Sequence, residues 1–312
     1  MDLTVCIVSY QCRDELRECL HSIRANAGAV EYEVIVVDNA SSDGTADMVA
    51  SEFFWVKLIR NTRNAGFAAA NNQALAQAAG RFLMLLNPDT QITHGALEAL
   101  VRFMHNKPWI GALGPKLVYP DGGLQFSCRT FPTPMTLLLD NLGLAQACAR
   151  SRLFGRQRMT WWDHATARRV DWVSGAALVM SRAAFRRVGP LDEGFFMYAE
   201  ELDWQWRLRR AGFECWYYPQ VTIVHREYVS WKGQRLGQVL WGHQSLWRYF
   251  AKNYGRADAL AARLITAAGS TLRAIYWLCG ALGPRAAEAK TMRHLHEVVV
   301  KLALGLTRME KP

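Results

Sequence analysis

The stretch LTVCIVS at Leu3–Ser9 decides the fold. It is brief, β-branched and apolar at nearly every position, and polar residues end it. Such a run reads as a strand buried on both faces, because a half-buried strand would alternate. Working outward, residues 14–27 place Leu16, Cys19, Leu20 and Ile23 at helical spacing. YEVIVV at 32–37 is a second strand, followed by a turn-rich stretch at 39–44 and a helix at 45–52. VKLIR at 56–60 is a third strand. An Ala-rich helix at 68–79 is closed by Gly80, RFLMLL at 81–86 is a fourth strand, and 95–105 is again helical. Strand–helix alternation predicts an α/β fold with a mostly parallel sheet flanked by helices.

The pattern loosens after Pro108. Residues 170–180 contain strand material, 199–211 read as a helix ended by Gly212, and 221–224 as a short strand. From Trp231 the chain is helical and basic to the end, which places a domain boundary between 1–230 and 231–312.

Composition narrows the class. The chain has 312 residues, 51% hydrophobic and 21% charged, which supports a sizeable core and excludes wholesale disorder. Seven scattered cysteines with no C-x-x-C argue against a zinc cluster or a disulfide framework and fit a reducing cytosol. The N-terminus MDLTVCIVSY lacks the features of a signal peptide, and residues 264–283, the most apolar window, carry Arg273 in their middle. Net charge is +10, and the thirteen Lys and Arg from Lys232 onward against four acids supply nearly all of it. A basic tail of this kind can face anionic lipid, nucleic acid or a phosphorylated substrate.

In open α/β sheets, ligands bind beyond the carboxyl ends of the strands. Ser9, Asp38 and the Asn87-Pro88-Asp89 turn all end strands and converge on one rim. Asp38 either accepts hydrogen bonds from a base or ribose, or caps the segment after it. Asp89 either offers a hard oxygen to Mg2+ or Mn2+ beside a diphosphate, or caps the following helix. Glu200, Glu201 and Asp203 open a helix after the aromatic run 195–198. Asp203 and Arg207 are i,i+4 partners, which leaves Glu201 to face a pocket as a general base with a raised pKa. The other reading is an acidic first turn favoured by the helix dipole. His225, after the strand VTIV, is either a metal ligand or a structural histidine.

Taken together these stretches resemble the inverting nucleotide-sugar glycosyltransferases of family 2, which have the GT-A fold. The likeness is greatest to bacterial rhamnosyltransferases of polysaccharide assembly. It runs over residues 3–250 and rests on VSY at 8–10, VVDNASSDGT at 36–45, NAGFAAANN at 64–72 and LLNPDT at 85–90. GAALVMSRAAF at 175–185, FFMYAEELDWQWRLRRAG at 195–212 and IVH at 223–225 complete the order. The resemblance implies that Asp38 contacts the nucleotide base with Ser9 nearby, and that Asn64, Gly66 and Phe67 line the nucleotide pocket. It implies that Asp89 holds Mg2+ or Mn2+ on the donor diphosphate, helped by His225. Glu201 falls at the base position and Asp203 at that of an acceptor-binding acid.

Three departures stand out. The metal motif is N-P-D where the family has D-x-D, Glu201 replaces the usual Asp, and Tyr228 replaces a Gly after His225. The extra methylene of Glu moves its carboxylate by about 1.5 Å. The function expected is transfer of a sugar, L-rhamnose from a dTDP donor, onto a glycan or lipid-linked precursor at the cytoplasmic face of the cell membrane. Aromatic residues among the C-terminal Lys and Arg fit peripheral contact with anionic membrane or a helical subdomain with a solvated basic face. No nucleic-acid recognition motif is present. The rivals are a UDP-sugar donor, an inactive nucleotide- or membrane-binding relative, and a nucleotidyltransferase.

Overall fold

The computed structural model describes residues 1–227, 235–280 and 286–307. In chain order the elements are β1 (Leu3–Ser9), α1 (Arg13–Asn26), β2 (Tyr32–Asp38), α2 (Thr45–Glu52), β3 (Val56–Arg60), α3 (Phe67–Gln77), β4 (Phe82–Leu86), β5 (Thr90–Ile92) and α4 (Ala96–His105). Then come β6 (Ile110–Val118), β7 (Leu124–Gln125), β8 (Cys128–Arg129), α5 (Pro134–Asn141), α6 (Leu144–Ala147), β9 (Arg168–Val170), β10 (Trp172–Val173) and β11 (Ala177–Ser181). The chain ends with α7 (Arg182–Val188), α8 (Glu200–Arg210), β12 (Glu214–His225), α9 (Arg235–Asn253), α10 (Arg256–Gly280) and α11 (Ala286–Ala303).

The chain divides into two compact units. Unit 1 is Met1–Phe131 with Trp162–Lys232, and unit 2 is Pro132–Trp161 with Gly233–Pro312. The segment 132–161, read on sequence with residues 1–230, clusters with the C-terminal helices. The sequence boundary near 230, with Tyr228 and Trp231, lies outside the described residues.

Unit 1 is built on a sheet of strand order β3-β2-β1-β4-β11-β6-β12-β5. β1 is buried at all seven positions, as a central strand should be. β1, β2, β3 and β4 are parallel, and β12 is parallel to β6. β11 enters antiparallel between β4 and β6, and β5 runs antiparallel to β12. The result is a mostly parallel sheet flanked by helices. Register pairs Ser9 with Asp38 and Asp38 with Arg60, so the ends of β1 to β3 form one row.

β6 escaped the sequence pattern, and β12 was caught only over 221–224. β6 (IGALGPKLV) contains Gly111, Gly114 and Pro115, which read as breakers. Here the glycines serve close packing. A Cβ at Gly111 would lie 2.5 Å from Leu208 Cδ1, and one at Gly114 would lie 2.7 Å from Val173 Cβ. β12 runs from Glu214, well before the expected 221, and passes through Pro219. Its register with β6 slips between Tyr218 and Thr222, which tolerates a residue with no N–H to give.

Unit 2 has its own apolar core of Leu240, Trp247, Phe250, Ala262, Ala267, Val299, Leu302 and Ala303. α10 packs against α5, α9 and α11. Among the described residues, no helix is long and apolar enough to cross a membrane.

Candidate active site

The rim of the unit 1 sheet gathers three groups of polar side chains. The first lies at the ends of β1 and β2. Ser9 is fully buried, and its Oγ lies 3.2 Å from Cys12 Sγ. Asp38 Oδ2 accepts from the Ser41 N–H at 3.1 Å, while its buried Oδ1 has no partner. Burial pushes its carboxyl above the usual range. A buried acceptor left open at a sheet rim is suited to an N–H or O–H of a ligand.

Asn39 organises the loop opposite. Its Nδ2 donates to Asn64 Oδ1 at 2.8 Å, and its Oδ1 accepts from Asn61 Nδ2 and the Ala65 N–H, each at 3.0 Å. Gly66 follows at φ +86°, where a Cβ would meet the Phe196 carbonyl at 2.6 Å. The Phe67 N–H donates to that same carbonyl at 2.8 Å. This network latches residues 61–67 to the aromatic run before α8. Asn39 and Asn61 carry it.

The second group is Asn87, Asp89 and His225. Pairing of β5 with β12 puts Thr90 opposite His225, which brings Asp89 alongside. His225 Nε2 lies 3.3 Å from Asp89 Oδ1 and 3.3 Å from Asn87 Nδ2, and Asp89 and His225 are both buried. Gln125, unmarked by any motif, sets the state of this ring. Its Nε2–H donates to the His225 carbonyl at 2.6 Å. A carbonyl can only accept, so the amide oxygen must face Nδ1, at 2.9 Å. Nδ1 therefore carries a proton, and when the ring is neutral its lone pair is on Nε2, beside the Asp89 carboxylate. An imidazole lone pair next to a carboxylate is a donor set that fits a divalent cation of the Mn2+ type. No cluster of three His, Cys, Asp or Glu side chains exists among the described residues. The remaining ligands would come from a diphosphate.

The third group opens α8. Tyr198 (φ +67°) and Ala199 (φ +63°) enter the helix through left-handed backbone, a strained approach common beside functional residues. Glu200 is buried and Glu201 lies against Gly175, where a Cβ would come 3.4 Å from Glu201 Cγ. Each carboxyl has one buried oxygen, Oε2, that no N–H or hydroxyl reaches, and the two carboxyls lie close enough to share a proton. Burial pushes both above the usual range, and the neighbouring Glu201 raises Glu200 further. The Gly175 backbone N–H and the charge of Arg129 pull Glu201 back down. The group is tied to the second one, because the Asn87 N–H donates to the Ala176 carbonyl at 2.9 Å.

Asp203 stands apart from this opening. It is fully buried and accepts from Arg207 Nε at 3.0 Å, and Arg207 also donates to the Val188 and Pro190 carbonyls. That arrangement anchors α8 to the turn after α7. The strand ends, Asp89, His225 and Glu201 thus share one rim, while Asp203 faces a protein partner.

Comparison with known proteins bears on the family and the fold. The family model for glycosyl transferase family 2 matches residues 4–167. An N-acetylglucosaminyl-diphospho-decaprenol L-rhamnosyltransferase of Mycobacterium tuberculosis is 29% identical over 263 residues, covering 81% of this chain and 85% of that protein. Rhamnosyltransferase WbbL of Escherichia coli is 24% identical over 259 residues, covering 80% and 92%. Among solved structures, the mannosyltransferase PcManGT of Pyrobaculum calidifontis, in complex with GDP-Man and Mn2+, superposes with a TM-score of 0.58. It is 18% identical, and the match covers 98% of this chain and 88% of that one.

Proposed function

The chain belongs to glycosyl transferase family 2 and is a glycosyltransferase, and we propose that it inverts the anomeric carbon of L-rhamnose taken from dTDP-rhamnose. The acceptor is a lipid-linked or polysaccharide glycan precursor, and the site of action is the cytoplasmic face of the cell membrane. The observation that carries the reaction is the rim itself. Asp38 and the Asp89–His225 pair stand at strand ends on one rim, and Glu201 approaches that rim from α8, beside Gly175. The similarity to two rhamnosyltransferases supports the sugar.

In this reading Asp38 accepts a hydrogen bond from the base or ribose, and Asn64, Gly66 and Phe67 line the nucleotide pocket with Ser9 beneath. Mg2+ or Mn2+, when bound by Asp89 and His225, would neutralise the diphosphate and stabilise the departing nucleoside diphosphate. Glu201 takes the proton of the attacking acceptor hydroxyl on Oε2. The new glycosidic bond forms as the bond to the diphosphate oxygen breaks, so the configuration inverts. Burial beside Glu200 raises the basicity Glu201 needs for this. Asp203 supports the helix that presents Glu201.

Calorimetry with dTDP, UDP and GDP, with and without Mn2+, tests the donor. Metal-dependent preference for dTDP is expected. Preference for UDP would replace rhamnose by another sugar, and binding without transfer from any donor would make the chain an inactive relative.

A further inference from the structure

α10 exposes a long apolar face. Leu260, Leu264, Leu272, Ile275, Tyr276 and Leu278 are each between 52% and 70% exposed. Single exposed apolar residues are ordinary, but a contiguous face of this size is not. At 3.6 residues per turn, positions 260, 264, 268, 271, 272, 275 and 278 fall on one side of the helix, and none is charged. From Leu260 to Leu278 the face runs roughly 27 Å at 1.5 Å per residue.

The charges within this stretch are turned away from it. Arg263 Nε donates to the Ala303 carbonyl at 2.9 Å, towards α11. Arg273, which interrupts the apolar window on sequence, donates to the Asn141 side chain and carbonyl at 3.1 Å, towards α5. Both arginines therefore sit on the packed side, and the tertiary structure leaves the other side clean.

Charge identifies the occupant. Unit 2 holds sixteen Lys and Arg against five Asp and Glu, a net +11. A second copy would bring the same charge against itself, which opposes self-association through this face. An anionic bilayer supplies the opposite sign and an apolar interior at the depth such a helix reaches. No described helix crosses a membrane, so the helix would lie in the surface. We infer that the Leu260–Leu278 face of α10 is a lipid-contact surface that seats unit 2 on anionic membrane. The inference deepens the membrane placement proposed above and rests on it, but on neither the donor nor the acceptor.

The test is flotation of the full chain with phosphatidylcholine vesicles, with and without phosphatidylglycerol. The wild type is expected to float with the phosphatidylglycerol vesicles. The double variant Leu264→Gln, Ile275→Gln and the single variant Tyr276→Ser are expected to bind more weakly, the double variant by about tenfold or more. Their melting temperatures and dTDP affinity should match the wild type. Equal flotation of wild type and variants would overturn the α10 face and leave membrane placement standing. No flotation of the wild type would overturn both. A wild-type dimer that the same variants split would reassign the face to a second copy and overturn the inference.

Discussion

Unit 1 carries twenty-one Lys and Arg against twenty-two Asp and Glu, whereas unit 2 carries sixteen against five. Unit 1 buries acidic groups at a sheet rim: Asp38, Asp89 and Glu200 are all less than a tenth exposed. Unit 2 keeps its acids few and turns apolar side chains outward along α10. The difference separates two kinds of physics. In unit 1, burial makes a few polar atoms chemically potent, because desolvation raises the basicity of Asp38, Glu200 and Glu201 and leaves acceptors open. In unit 2, net charge and exposed apolar area act over a whole surface.

The largest effect that would sharpen this division comes from Glu201→Gln. Transfer should fall by about 10²–10⁴-fold, the usual worth of a general base, while nucleotide and vesicle binding hold. Single-turnover assays beside flotation measure both, and joint loss would break the division. Asp89→Ala should lower transfer on the order of 10²-fold and abolish the strengthening of dTDP binding by Mn2+ in calorimetry.

Gln125→Leu should weaken Mn2+ by about 10–100-fold, since partners of a ligating histidine are worth that much. Gln125→Glu keeps an acceptor on Nδ1 but loses the amide donor to the His225 carbonyl, so it should restore only part of it. Mn2+ titration followed by electron paramagnetic resonance reads this without any turnover. Unchanged affinity in Gln125→Leu would remove the residue from the metal corner.

Gly66→Ala should destabilise unit 1 by about 1–3 kcal/mol, because Cβ meets the Phe196 carbonyl at an unfavourable φ. The loss should appear as a lower melting temperature together with weaker dTDP binding.

The smallest effect is a gain. Glu200 titrates near its ordinary 4.5 when unfolded and above that when folded. Between those two values the folded chain holds the extra proton, so stability falls as pH rises through the window. Glu200→Gln removes that loss. Its melting temperature should match the wild type below about pH 4.5 and exceed it at neutral pH, by about 1–3 kcal/mol of stability for one unsatisfied buried group. Thermal melts across pH decide the sign. A destabilised variant at neutral pH would mean that Glu200 holds the fold as a charge.

Much of unit 1 was legible residue by residue. β1, α2 and β3 begin and end where the hydrophobic pattern places them. The rim followed from strand ends, so Ser9, Asp38 and Asp89 were found as a set. Gln125 was not, because a lone glutamine in a short irregular strand has no periodic signal, and its meaning depends on a histidine 100 residues away. β6 was missed, and β12 was found only over 221–224, for a related reason. Gly111, Gly114 and Pro219 announce turns to a local reading, and only the neighbouring β11, β12 and α8 show why they sit inside strands.

By itself the sequence determined the order of strands and helices in the first hundred residues, the chemistry at the strand ends and the basic character of the C-terminal region. Those properties depend on residues within a few positions of one another, through side-chain periodicity and backbone preference. The tertiary structure decided which buried acid is closed in an ion pair and which keeps one oxygen without a donor. Asp203 closes on Arg207, while Glu201 and Asp38 each keep an open oxygen. It also decided that Arg273 faces Asn141 and leaves the outer face of α10 apolar. Partners, burial and the direction of a side chain are settled between segments far apart in the chain, where no local pattern reaches.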